Sequence, residues 1–172
     1  MDAIEIAAKL MELSAVTAPK SKGVNFVQTR VLSGTALQTL AEAMVRFGER
    51  TGKKDFDRDA KGVARSGAVV LIGLKGSRAV GLDCGACGYP DCKSLERQPR
   101  NAGEFSAPIC AIRQLAIGIA LASAVNPASM LNVDNRIMYR IGTVAREAKM
   151  VDWDFVMGVP LSASGKNLFF DR

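Results

Sequence analysis

All four cysteines of this 172-residue chain stand within 27 residues of one another, at Cys84, Cys87, Cys92 and Cys110, in the spacing C-x2-C-x4-C-x17-C. Thiolates ligate soft metals and iron–sulfur clusters, so a metal centre is the first chemistry this pattern offers. Buried thiols serving as small hydrophobes would be scattered through a core, whereas the other 145 residues contain no cysteine. Disulfides need an oxidising compartment, and the opening Met1-Asp2-Ala3-Ile4-Glu5 lacks the basic start and cleavage site of an export signal. A redox dithiol at Cys84 and Cys87 leaves Cys92 and Cys110 unexplained.

Two metal readings remain. A structural zinc site of four cysteines usually joins two C-x2-C knuckles across a longer run. Here three cysteines crowd into nine residues and a fourth stands apart. That three-plus-one grouping suits a cluster, where each thiolate meets a different iron. Gly85 and Gly88 let the backbone wrap closely and turn N–H groups toward sulfur, and Ala86 keeps the wrap small. Tyr89-Pro90 supplies a stiff turn and apolar cover, with Pro108 two residues before the last thiol.

The segment Cys84-Gly85-Ala86-Cys87-Gly88-Tyr89-Pro90-Asp91-Cys92, followed by Cys110, resembles the small four-iron cluster domain of corrinoid iron–sulfur proteins. Rnf-type electron-transport B subunits carry a similar segment. The resemblance implies a [4Fe–4S] cluster, held by these four cysteines, and electron transfer to a redox partner protein.

Composition narrows the other classes. The chain has no histidine, which removes the commonest general base and metal ligand together with Ser-His-Asp and Cys-His catalysis. Lys and Arg number 23 against 17 acidic residues, but pairs such as Lys53-Lys54 and Arg136/Arg140 are scattered. With aromatics at 6%, no stacking platform interleaves with them, so nucleic acid is not an expected partner. The longest apolar candidate for a span, Leu115 to Val125, is too short to cross a bilayer. A cytoplasmic protein without membrane insertion is expected.

The elements that must position the thiols read as a mixed α and β chain. Ala3 to Leu13 is a predicted buried helix. Ser33 is expected to cap a second helix with Leu37, Leu40, Ala41, Met44 and Val45 on one face, ended by Gly48 or Gly52. Phe56, Ala60, Val63 and Ala64 mark a third. Ala68 to Leu74 reads as a buried strand and Phe155 to Val159 as a late one. Ile112 to Val125 is a helix with small residues for close approach, stopped by Asn126-Pro127, and Ile137 to Ala148 is another.

The order of helix, Ala18-Pro19-Lys20-Ser21-Lys22-Gly23-Val24-Asn25-Phe26 loop, strand and helix resembles the opening of nitroreductase-like flavoproteins. Met157-Gly158-Val159-Pro160 is similar to their final strand. This resemblance implies an α+β, nitroreductase-like three-layer sandwich, with the Cys-rich iron–sulfur segment inserted at 82–110 of one domain spanning 1–172. It also implies an intertwined homodimer, with FMN bound at the interface in some members. The first helix lacks the arginine pair that grips the flavin phosphate there, so no residue is assigned to FMN. As a whole the chain resembles the uncharacterised ferredoxin-domain family of anaerobic bacteria and archaea. That likeness is carried by Thr17 to Gly23, Leu71-Ile72-Gly73, the CGACGY segment, Asp134-Asn135-Arg136 and Ser164 to Arg172.

Other features have plainer readings. Ser164-Gly165-Lys166-Asn167 lacks the spacing, the Ser/Thr and the following helix of a phosphate loop. The apolar tail Asn167 to Arg172 is expected to dock on the core or on a second subunit. Asp134 is expected to cap a helix, Lys20 and Lys22 either hold a phosphate or dress a loop, and Trp153 is a packing residue.

Overall fold

The computed structural model describes residues 2–101 and 103–170. Its elements run α1 (Ala3–Thr17), β1 (Val27–Leu32), α2 (Thr35–Thr51), α3 (Phe56–Ala64), β2 (Ala68–Leu74), α4 (Cys92–Glu96), α5 (Ala111–Met130), β3 (Asp134–Asn135), α6 (Tyr139–Glu147) and β4 (Phe155–Ser162). The four strands form one antiparallel sheet in the order β1-β2-β4-β3.

β2 explains the layers. Every one of its residues is buried, and alternate side chains leave opposite faces of a strand. Ala68, Val70, Ile72 and Leu74 join a core with α1 and α5. Val69 and Leu71 join a second core with α2, α3 and α6. Helices therefore cover both sides of the sheet, and the expected three-layer α+β sandwich is what forms.

Two glycines set how closely α6 lies on β4. A Cβ at Gly142 would overlap the carbonyl of Val156, and one at Gly158 would overlap the Ile141 side chain. β4 runs three residues past the expected end, through Pro160. The Gly158 N–H turns away from β2 to Met138 O, 3.0 Å away. With the two-residue period of a strand, the Pro160 nitrogen faces the same way, so β2 loses no bond to it.

Several boundaries differ from expectation. Gly34, at φ 57°, precedes α2, and no side chain caps that helix, so Ser33 is not its cap. α2 passes Gly48 and ends at left-handed Gly52. α5 does not stop at Asn126-Pro127. Pro127 lies inside it, and the last turn continues because Ala128 is fully buried on the core. At 20 residues, α5 is long and apolar enough to cross a membrane by length and composition alone, and it packs along α1.

Asp134 caps no helix. It pairs with Ser162 in β3, and its Oδ1 accepts from Asn167 Nδ2 at 2.9 Å. Arg136 holds the tail instead, donating to Phe169 O at 3.1 Å and stacking on Phe170. Phe169 is buried in the second core, so the tail docks as expected up to Phe170; Asp171 and Arg172 lie outside the described residues. Lys20 dresses the loop: its Nζ donates to the carbonyls of Ala15, Val16 and Ala18 and closes the end of α1. Burial there lowers its pKa. Trp153 packs in the second core.

Candidate metal centre

The cysteine segment fills the long connection between β2 and α5. Leaving the sheet at Leu74, the chain turns at Gly76 (φ 59°) and buries Val80. Four of the next eight residues are left-handed: Gly81 (φ 78°), Asp83 (φ 47°), Gly85 (φ 68°) and Gly88 (φ 85°). Glycine takes this conformation without a Cβ penalty, and Asp is among the few other residues that tolerate it. Left-handed residues among right-handed ones turn successive backbone N–H groups to one side, which makes a concavity for an anion. Gly88 N donates to Gly85 O at 2.9 Å and closes the turn around Cys87.

Cys92 opens α4. Asp91 caps this short helix, its Oδ1 accepting from Ser94 N at 2.7 Å. That hydrogen bond, followed by one from the Ser94 hydroxyl, holds the Asp91 carboxyl below its usual range. Asp83 Oδ1 accepts from Cys92 N at 2.8 Å, which ties the neighbour of Cys84 to the third thiol. Leu95 of α4 packs with Val80 and Cys110, and Cys87, Tyr89 and Ile112 flank that small core.

Cys110 is the residue before α5, and its carbonyl accepts from Arg113 N and Gln114 N, both at 3.0 Å. The N-terminal end of this 20-residue helix carries partial positive charge and favours an anionic centre. One turn on, Arg113 is 4% exposed. Its guanidinium donates to Arg78 O (3.0 Å), Ser21 O (3.1 Å) and Val24 O (3.2 Å) and lies over the Phe26 ring. Sequence reading passed over Arg113, although a lone charge in the apolar run 111–130 was a signal.

The fold therefore brings the elements carrying all four cysteines into one lobe, graded from exposed Cys84 through half-buried Cys87 and Cys92 to buried Cys110. All four are free thiols. Among the described residues, no group of three or more Cys, Asp or Glu side chains is arranged to hold a metal ion. The donor set itself, four thiols with no imidazole in the chain, has the chemistry of an iron–sulfur or four-thiolate metal site.

Residues 106–172 match the family described as an uncharacterized protein containing a ferredoxin domain (DUF2148). That stretch includes Cys110 and begins after the other three cysteines. An uncharacterized protein of Archaeoglobus fulgidus is 47% identical over 171 residues, which cover 99% of this chain and 92% of that protein. Among solved structures, the FMN- and NADPH-dependent nitroreductase NfnB derived from sphigopyxis sp. strain HMH superposes with a TM-score of 0.61 at 10% identity, covering 100% of this chain and 84% of that one. A nitroreductase with bound FMN from Desulfitobacterium hafniense gives 0.58 at 11% identity, covering 96% and 80%. A BluB-like flavoprotein from Clostridium difficile gives 0.54 at 15%, covering 96% and 87%. These structures share the nitroreductase fold with this chain. With close to half its residues shared across nearly the full length of both chains, the protein belongs to the same family as this archaeal relative, and its C-terminal stretch matches the family described as containing a ferredoxin domain.

Proposed function

We propose that this protein is an iron–sulfur redox protein in which Cys84, Cys87, Cys92 and Cys110 hold one [4Fe–4S] cluster. The observation that carries the reading is the thiol-bearing lobe itself: Cys84 and Cys87 on a wrap of left-handed turns, Cys92 opening α4 and Cys110 preceding α5, with Cys87 and Cys110 in one small core. When bound, the cluster supplies one-electron storage. The chain's own residues do the rest. Val80, Leu95 and Ile112 keep water from the inner side, and the backbone N–H groups of the wrap offset negative charge. Exposed Cys84 marks the edge through which a partner protein exchanges electrons. The segment 82–110 serves as the cluster segment of a single domain over 1–172. A reducing, cytoplasmic setting suits four free thiols and this chemistry.

Anaerobic purification followed by iron and acid-labile sulfide analysis tests the reading. About four of each per chain are expected, with loss of both in each Cys→Ser variant. Stoichiometric zinc without sulfide overturns it in favour of a structural zinc module.

A second reading rests on the fold. The FMN named for several neighbours favours a flavin-linked oxidoreductase carrying the cluster on the same domain. Against it, α1 contains no arginine, and its Lys9 is paired with Glu12. A yellow extractable cofactor supports this reading, and absence of saturable FMN binding removes it.

A homodimer is the assembly that the outer face of α1 and α5 fits. α1 leaves Ile6, Leu10, Leu13 and Val16 exposed along one row, and α5, packed beside it, leaves Leu115 and Ile119 exposed. An apolar layer of this kind is what a second copy covers.

A further inference from the structure

We infer that a second site, sharing only Cys110 with the thiol set, binds a small organic monocarboxylate in the cavity between the Gly76–Ala79 strap and the start of α5. The cavity is about 350 Å³, within the range of small-molecule sites. Cys110 lines it, and Cys84, Cys87 and Cys92 do not. It therefore lies on the α5 side of the lobe.

The walls specify the ligand. Ser77 is 6% exposed, and among the described residues its hydroxyl has no hydrogen-bond partner. An unpartnered buried hydroxyl is costly, and an acceptor reaching it from the cavity would satisfy it. Next to it, Arg78 is exposed at the rim, and its guanidinium has neither ion pair nor hydrogen bond among the described residues, although the Arg78 carbonyl is held by Arg113. A guanidinium fork matches a carboxylate with two parallel bonds.

Leu95 and Ile109 supply an apolar wall for the body of the ligand. Glu96 also faces the cavity, fixed by the N–H of Ala79 at 2.9 Å. Its negative charge favours one carboxylate over a doubly charged phosphate. The strap cannot drift: Arg100 donates to Ser77 O at 2.9 Å and pairs with Asp154 at 2.9 Å, and Asp154 accepts from Gly76 N at 2.7 Å.

The cavity shares Cys110 with the proposed cluster site, and its test reads binding alone, separately from iron and sulfide content. The anaerobically purified full chain is titrated with benzoate, with benzamide as the neutral match and inorganic phosphate as the bare anion. Saturable benzoate binding is expected, weakened about tenfold or more in Arg78→Gln, as befits a charged hydrogen bond. Ser77→Ala weakens it about three- to tenfold, and Arg97→Gln, outside the cavity, leaves it unchanged. The proposal is overturned if benzoate does not saturate, if Arg78→Gln binds it as tightly as the wild type, or if benzamide or phosphate binds as well as benzoate.

Discussion

Asp83 Oδ1 accepts the backbone N–H of Cys92 at 2.8 Å, across nine residues of sequence. The bond ties the residue beside Cys84 to the start of α4, so the first and third thiols are set by one carboxylate. Asp83 reaches that position through a left-handed φ of 47°. Asp83→Ala removes the acceptor and leaves a poorly suited residue in that conformation, at a local cost of about 1–2 kcal/mol. Asp83→Asn keeps an acceptor and tolerates the backbone. Iron per chain after anaerobic purification is expected to fall by about half or more in Asp83→Ala, since second-shell partners set metal affinity, and to be largely kept in Asp83→Asn. Equal iron in the two variants would remove the tie from the account of the site.

The cap on α4 makes the wrap acid-sensitive. The backbone N–H of Ser94, then its hydroxyl, holds the Asp91 carboxyl below its usual range. The folded chain therefore binds this proton less readily than the unfolded chain. The stabilisation is fully present above the unfolded value of about 3.9 and is lost as pH falls through the depressed folded value. Amide exchange at Cys92 to Leu95 is expected to accelerate on acidification below about pH 4. In Asp91→Asn, which also caps helices but does not ionise, the difference from the wild type vanishes at the acid end.

Arg113 makes a different prediction, about stability. Its three carbonyl acceptors come from the loop after α1 and from the strap before the thiols, so one buried guanidinium joins three segments. Arg113→Met leaves those carbonyls without their donor and is expected to cost about 3 kcal/mol. Arg113→Lys keeps the charge and part of the bonding and should cost about 1–2 kcal/mol. Urea unfolding of the two variants measures the difference. Equal loss in both would show that Phe26 stacking, rather than hydrogen bonding, is what the arginine contributes.

The parts legible in the sequence are those where burial repeats along the chain. α2 shows its face through Leu37, Leu40, Ala41 and Met44, all buried, and β2 shows itself as an unbroken apolar run. Elements fixed by distant partners were silent. β3 is two residues held by Ser162 and Leu161, and nothing local marks Asp134 as a strand residue rather than a cap. Pro127 misled for a related reason: local chemistry says stop, while burial of Ala128 carries α5 another turn. The thiols were legible as a spacing. The wrap that carries them was legible at Gly85 and Gly88 and silent at Asp83, whose left-handed backbone is stabilised by its long-range bond to Cys92.

The last prediction concerns the outer face of α1 and α5. Ile6, Leu10, Leu13 and Val16 recur at three- and four-residue intervals on the side of α1 facing away from Ala7, Ala8, Met11 and Ala15, which are fully buried. A helix apolar on both sides is buried on both sides in the assembled protein. Leu115 and Ile119 extend the layer onto α5. Charge placed in such an interface must be desolvated without a partner, which disfavours association. The wild type is expected to sediment as a dimer. Leu13→Glu combined with Leu115→Glu should yield a monomer with unchanged far-UV circular dichroism, because both side chains are 60% exposed in the single chain. A wild type that sediments as a monomer at about 10 μM, well above the dissociation constant of a standard-sized interface, would mean that this layer is covered by something other than a second copy.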